Sequence, residues 1–266
     1  HLVPTLFIST RTGQRTSWVE FSIGRDRLYV LKDVRKFMEA YASGGQLVYG
    51  QKYTYRPLED RFDHRSQQLL DLMQVADVDE KTFLATWGNT YQSRAFHDRR
   101  FNLSNTQLLR FLEIMGDESF HMTINSGLHK TVHISETRPH LTFDVSPMPS
   151  GLKLSMVLGD EACFGLDSDF KYVYYAGLVH RVDEIFSRYL RPTLECFSQM
   201  RHTEVVVPEN SVGQFLDTVV PTLEKIATVH VDSALASRFY REKLQTEVHL
   251  DRHGDGVSAR VRFKYG

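Results

Sequence analysis

Four side chains in the middle of the chain have the chemistry of a transition-metal site. His121, His129 and His133 supply imidazoles and Asp117 supplies a carboxylate, the ligand types that zinc and manganese take in proteins. His129 and His133 are four residues apart, which on a helix would place both rings on one face. Residues Thr131–Ile134 alternate like a strand, however, and in a strand the two rings stand well apart. Two interpretations follow: a metal-dependent enzyme, or the partly exposed histidines of a hairpin.

Two groups of basic residues could contact the phosphates of a nucleic acid. In the first group Phe96 and Phe101 lie among the arginines, and in the second Arg188 and Arg191 share a helix face. Acidic neighbours dilute both groups, so a solvated surface is the alternative interpretation. The candidate residues are Arg94, Arg99 and Arg100 in the first group, and Arg181, Arg188 and Arg191 in the second.

The sequence lacks the motifs that bind nucleotides or activate a serine. It contains no Gly-x-x-x-x-Gly-Lys-Ser/Thr loop for phosphates, no Gly-x-Gly-x-x-Gly after a strand, and no serine nucleophile elbow. Its two cysteines, Cys163 and Cys196, give no disulfide framework and too few thiolates for a structural zinc site. The sequence therefore predicts that this chain does not hydrolyse ATP.

The composition is that of an ordinary globular protein. Of the 266 residues, 41% are hydrophobic and 24% are charged, and the formal net charge of -1 gives no global attraction to nucleic acid or membrane. No apolar run is long enough for a membrane span and no signal peptide opens the chain. We therefore expect a cytoplasmic protein. The chain begins without Met and ends just after an alternating strand, so we expect a segment of a longer protein.

The elements that would position these residues are short strands and helices. Alternating runs at residues 6–8 and 18–23 predict paired strands, and Asp33 can cap a helix that stops at Gly44. Hairpins outnumber long βαβ alternations, which predicts an α+β fold of mostly antiparallel sheets with packed helices. We expect an N-terminal lobe at 1–100 and a C-terminal lobe at 101–266, with one continuous domain as the alternative.

The second half contains a pattern that occurs twice. A helical run opens at Leu103 and again at Val207, and a short alternating strand follows each helix. A further strand and a strand led by glycine, Gly151 in one copy and Gly256 in the other, complete each unit. This order predicts a duplicated helix-plus-hairpin unit, as in scaffolds built by stacking. Two unrelated stretches with a common pattern are the alternative.

Segments spread over nearly the whole chain match the pattern of one known family in order and spacing. They are Ile23–Val34, Leu47–Tyr55, Tyr174–Arg181, Leu190–Leu194, Phe215–Leu223 and Arg262–Gly266. Together they resemble the helicase-associated domain of bacterial Swi/Snf-type helicases. The resemblance implies a non-catalytic accessory or regulatory domain that precedes the two-lobed ATPase of a longer chain. The parent would be an ATP-dependent helicase or translocase on double-stranded DNA.

The resemblance also implies what this chain binds. ATP and Mg²⁺ would bind only the ATPase lobes, so no cofactor, metal or catalytic residue is expected here. The expected partner is the set of ATPase lobes of the parent chain, with double-stranded DNA and another protein as further candidates and no membrane. Two alternatives stay open: a protein–protein interaction scaffold that uses Tyr172, Tyr174 and Tyr175, and a stand-alone metal-dependent enzyme that uses His121, His129 and His133.

Overall fold

A computed structural model describes the chain in two compact units. The first comprises His1–Pro139 and Leu158–Cys196, and the second comprises His140–Val157 and Phe197–Gly266. The division into lobes 1–100 and 101–266 stays a prediction. The residues that the structure describes are 1–10, 15–51, 53–87, 95–125, 127–158, 162–200, 203–238, 245–253 and 256–264.

The described elements are numbered along the chain, strands and helices separately. The strands are β1 (Leu2–Ser9), β2 (Thr16–Gly24), β3 (Leu28–Val30), β4 (Leu47–Tyr49), β5 (Tyr53–Tyr55), β6 (Phe96–His97), β7 (Arg100–Leu103), β8 (Phe120–Ile124), β9 (Leu128–Val132), β10 (Ile134–Ser135), β11 (Leu141–Met148), β12 (Gly151–Met156), β13 (Phe164–Gly165), β14 (Tyr172–Tyr175), β15 (Leu178–Arg181), β16 (Glu204–Pro208), β17 (Ala227–Val231), β18 (Gln245–His253) and β19 (Gly256–Lys264). The helices are α1 (Val34–Ser43), α2 (His64–Trp87), α3 (Asn105–Met115), α4 (Glu184–Met200), α5 (Val212–Gln214), α6 (Val220–Leu223) and α7 (Ser233–Arg238).

A seven-stranded sheet forms the frame of the first unit. Its order is β6-β7-β2-β1-β8-β9, and β3 pairs with β2 outside this path. β1 and β2 pair antiparallel, as the alternating runs predicted, whereas β1 and β8 pair parallel. Because successive strand residues face opposite sides, one side of the sheet carries the core residues Leu6, Val19 and Phe101 and the other carries Phe7 and Trp18.

Helices α1, α2 and α3 contribute the other side of this core. The predicted cap of α1 is present: the Asp33 carboxylate accepts from the Lys36 backbone N–H, and Gly44 ends the helix in the left-handed region at φ 73°. α2 continues through Asp77–Trp87 without a break. Residues of α1, α2 and α3 pack in one cluster with the inward residues of the sheet.

The first unit also contains a four-stranded sheet and α4. The sheet has the order β10-β15-β14-β13, and the alternating Tyr172 and Tyr174 are both buried in it. The aromatic patch of the scaffold hypothesis is therefore largely a buried strand face. α4 runs through Pro192 and does not end there. Strands β4 and β5 form a separate two-stranded sheet.

The second unit contains one four-stranded sheet and one ribbon. The sheet has the order β16-β12-β11-β17, and the ribbon pairs β18 with β19. Between β16 and β17 the chain is helical from 209 to 223, as a 3-10 turn, α5, a π turn and α6. Phe143, Leu154 and Phe215 are among its buried side chains. Mixed helices and mostly antiparallel sheets confirm the predicted α+β class.

The duplicated unit is present in the predicted order, but its hydrogen bonds group the elements differently. Each copy has the helix, the following strand and the hairpin. The hairpin of the first predicted copy, β11–β12, nevertheless pairs with β16 and β17 of the second. The reason is that each hairpin completes its four-stranded sheet by pairing with two strands that come later in the chain. The structural repeat is therefore hairpin, strand, helix, strand: β1-β2-β7-α3-β8 in one unit, and β11-β12-β16, the helical segment and β17 in the other.

No helix in the described part of the chain is both long and apolar enough to cross a membrane.

Candidate functional site

The two described arginines of the first predicted group share one carboxylate. The Nε atom of Arg99 lies 3.2 Å from Oε2 of Glu20, and the Nε atom of Arg100 lies 3.8 Å from Oε1. The Glu20 side chain is only 15% exposed, whereas those of Arg99 and Arg100 are 57% and 49% exposed. One negative charge thus faces two positive charges, and the exposed remainder of each guanidinium can still donate to a phosphate. Arg94 lies outside the described residues.

An aromatic pair lies beside these arginines, and it was not predicted from the sequence. Trp18 of β2 and Phe7 of β1 are directly opposite, and their rings stack with centroids 5.2 Å apart at an interplanar angle of 6°. The Cζ atom of Arg100 lies 4.6 Å from the Trp18 ring centroid, within cation–π range. The alternation of β1 and β2 was the available signal, because Trp18 and Phe7 occupy the positions opposite the core.

The aromatic residues that the sequence did place beside the arginines are in the core. Phe96 and Phe101 stack with centroids 5.1 Å apart and are both buried. Both rings are therefore covered in the core and are not available to a ligand at the surface. Arg100 and Phe101 are consecutive residues of β7, so their side chains lie on opposite faces of the sheet.

The second predicted group converges on one cleft of the first unit. This cleft has a volume of about 740 Å³, and we call it the α4 cleft. Glu184, Ser187, Arg188 and Arg191 of α4 line it at helical spacing and so lie on one face of the helix. Its other lining residues are Leu109, Glu113, Asp169, Lys171, Tyr172, Arg181 and Val182. The sequence found the three arginines but did not single out Lys171, Asp169 or Glu113, which lie outside α4.

The charges of the α4 cleft are largely paired. Arg188 lies 3.1 Å from Glu184, and Arg191 lies 2.8 Å from Glu195 and 3.9 Å from Asp169. The hydrogen bond to the Glu195 carboxylate raises the pKa of Arg191. All these pairs are exposed to solvent, where ion pairs contribute little to stability, so an incoming group can exchange them at little cost.

Arg181 and Lys171 stand at the same cleft with fewer constraints. Arg181 lies 3.4 Å from Glu136, and both side chains are exposed. Lys171 has no carboxylate partner within the described part of the chain. Burial raises the pKa of the neighbouring Tyr172, and the Arg181 charge offsets part of that rise. Tyr172 is therefore a neutral wall of the cleft at physiological pH.

The histidines of the metal hypothesis are held by threonines across the hairpin. Nδ1 of His129 lies 2.8 Å from the hydroxyl of Thr123, and Nδ1 of His121 lies 3.3 Å from that of Thr131. His133 follows β9 and is exposed. Among the residues that the structure describes, no three His, Cys, Asp or Glu side chains are placed to hold a metal ion. The structure thus gives the metal hypothesis no support.

Comparison with known proteins identifies the family. A family model described as bacterial SNF2 helicase associated matches residues 99–266, well over half of the chain. The chain belongs to this family. Searches of curated proteins and of solved structures found no match.

The match divides the residues described above. In this helicase-associated chain it begins at Arg99, so it covers both described arginines of the first group and the whole of the second group. Phe7, Trp18 and Glu20 precede the matched residues. The side of the seven-stranded sheet that carries Phe7 and Trp18 is therefore built partly from the matched segment and partly from the residues before it.

Proposed function

We propose that this chain is a non-catalytic accessory domain of a bacterial SNF2-family DNA motor and that it docks on the ATPase lobes of the same parent chain. Family membership supports the accessory part of this proposal. The mixed charge of the α4 cleft supports the docking part. In this proposal ATP and Mg²⁺ bind the ATPase lobes, and the helicase or translocase activity belongs to the parent.

The observation that carries docking is the arrangement of signs around the cleft. Four cationic side chains and three carboxylates line it, together with the apolar Leu109 and Val182. A polyanion such as DNA would meet the carboxylates at close range and be repelled. A protein surface with charges of both signs can satisfy the cations and the carboxylates together, and such complementarity fixes partner and orientation. A mixture of apolar and charged lining residues is also typical of protein interfaces.

Guiding of double-stranded DNA is the second candidate function. It is favoured by Arg99 and Arg100, which outnumber their shared carboxylate Glu20. Each phosphate contact would make the slope of log affinity against log salt more negative by about 0.9. The α4 cleft contributes little to this candidate because its charges nearly balance.

Docking is tested by measuring affinity between this chain and the separately purified ATPase lobes. Reversal of charge in the cleft, Arg188→Glu, should lower the affinity at least about tenfold, because it places two carboxylates against the partner surface that accepted a cation. Isothermal titration calorimetry with unchanged circular dichroism of the variant is the measurement.

The matched control is Lys81→Glu. Lys81 pairs with Asp77 one turn earlier on α2, as Arg188 pairs with Glu184 on α4, and it lies outside the cleft. This variant should bind like the wild type. Equal loss in both variants would indicate general electrostatics, and the absence of binding by the wild-type chain would overturn docking.

A further inference from the structure

We propose that the outward face of the seven-stranded sheet binds single-stranded nucleic acid. This face is defined here by Phe7, Trp18, Arg100, His121 and His129, which come from β1, β2, β7, β8 and β9. The inference is independent of docking through the α4 cleft. It combines the two components of single-strand recognition, aromatic rings on which bases stack and cations that hold the backbone.

The aromatic pair has no structural role in the core of its unit. Phe7 and Trp18 are absent from the described core cluster, and their strand neighbours Leu6 and Val19 fill it from the other side of the sheet. A centroid separation of 5.2 Å exceeds the contact distance of two stacked rings, so the rings are offset and each leaves part of its face uncovered by the other. Both side chains are only partly buried. The pair therefore offers aromatic surface for which the core supplies no reason.

The second sheet shows that the fold does not require aromatic residues there. Its order β16-β12-β11-β17 follows that of β7-β2-β1-β8. In the first sheet a cross-strand row runs Asn102, Trp18, Phe7 and Thr123, and the corresponding row of the second sheet is Glu204, Ser155, Asp144 and His230. The same scaffold thus carries a polar row in one unit and an aromatic pair in the other.

The groups around the pair fit a phosphodiester backbone. On one side, Arg99 and Arg100 outnumber the carboxylate of Glu20. On the other side, His121 and His129 are exposed, and each has its Nδ1 within hydrogen-bond distance of a threonine hydroxyl. The Nε2 atom of each ring can therefore bond to a ligand without breaking that contact. Groups that can hold phosphates thus lie at both ends of a row that contains stacked rings. This arrangement matches an extended single strand, whose bases can reach the rings, and not a closed duplex, whose bases are hidden.

The experiment uses Trp18 as its own reporter. The chain has two tryptophans, so in Trp87→Phe the fluorescence of Trp18 is observed alone. Short oligothymidylate, oligouridylate, an abasic oligomer of equal charge and a blunt duplex are titrated at low and at moderate salt. We expect quenching of Trp18 by both base-bearing single strands, and an affinity at least about fivefold above that for the abasic oligomer. The ratio of the affinities for oligothymidylate and oligouridylate shows whether the face prefers DNA or RNA.

Two variants separate stacking from folding and from charge. Trp18→Leu keeps an apolar side chain but loses the aromatic ring, so it should remove the preference for base-bearing over abasic oligomer, measured by the anisotropy of a labelled strand. Lys81→Ala, an exposed lysine of α2 that lies outside this face, is the control and should leave that preference unchanged. Equal affinity for the abasic oligomer, or tighter binding of the duplex with no quenching of Trp18, would overturn the proposal. None of these ligands is an ATPase lobe, so a negative result in this experiment would not contradict the docking proposal.

Discussion

The two four-stranded arrays of this chain share their order and strand directions but not their outward faces. In both, a hairpin gains an antiparallel strand beside its second strand and a parallel strand beside its first. In both, a helix connects these added strands. The inward residues are apolar in each case, with Leu6, Val19 and Phe21 in one and Phe143 and Leu154 in the other.

The difference between them separates what the fold needs from what a ligand would need. Inward positions must be apolar because their burial drives folding. Outward positions are free of that demand, and in the second sheet they hold Asp144, Ser155 and Glu204. The need to bury apolar surface therefore does not explain the stacked aromatic residues at the outward positions of the first sheet. This contrast is what the following predictions test.

The largest effect should come from inward residues, and it should be similar in both units. Phe143 is fully buried and lies 5.8 Å from Phe197 between ring centroids, and Phe21 is nearly as buried in the first sheet. We expect Phe143→Ala and Phe21→Ala each to lower the free energy of unfolding by about 3–5 kcal/mol, through lost burial and the cavity left behind. Denaturant unfolding followed by circular dichroism measures this.

Outward residues are the control for that prediction. Thr142 is the strand neighbour of Phe143 on the opposite face of β11, and Thr142→Ala should change the free energy of unfolding by less than about 1 kcal/mol. Phe7→Ala should likewise cost much less than Phe21→Ala. A cost for Phe7→Ala equal to that of Phe21→Ala would show that the aromatic pair is structural, and the contrast between the two faces would fail.

Much of this architecture could be predicted from local pattern, and the rest depended on pairing. The alternation of β1 and β2 and the cap at Asp33 are local signals, and both are confirmed. The grouping of β11–β12 with β17 depends on which strand edges meet, which no local pattern states. The arginines of the α4 cleft were found by residue type, but the pairing of Arg191 with Asp169 required the fold. Trp18 was not predicted as a site residue because a tryptophan in a strand fits a core position equally well until the side of the sheet that it occupies is known.

An intermediate effect should come from a glycine that is specific to the second sheet. Gly151 opens β12 with φ at +146°, and a Cβ there would lie 2.0 Å from the backbone oxygen of Val207. Gly151→Ala should therefore destabilise the chain by about 2–3 kcal/mol, because either the strained φ or the pairing of β12 with β16 must give way. Thermal unfolding and amide exchange in β12 and β16 measure this.

Gly213 provides the matched control for this substitution. It lies in α5 with open space around the position of a Cβ. Gly213→Ala should raise the free energy of unfolding by about 0.5–1 kcal/mol, because alanine has the higher helix propensity. Tolerance of Gly151→Ala, with a stability equal to that of wild type, would mean that the β12–β16 edge is looser than its register indicates.

The smallest effect concerns the helix starts that follow the added strand in each repeat. Ser104 caps α3: its hydroxyl accepts from the Gln107 backbone N–H at 3.3 Å, and its own N–H donates to the Gln107 side chain at 2.8 Å. In the second repeat the helical segment opens with a 3-10 turn at Glu209, and Ser211, which precedes α5 inside that segment, makes no side-chain cap hydrogen bond. We expect Ser104→Ala to cost about 1 kcal/mol and Ser211→Ala to cost clearly less, in the same denaturant assay. Equal costs would mean that the second start is capped in solution as the first is, and that the repeats are more alike at their helix starts than on their outward faces.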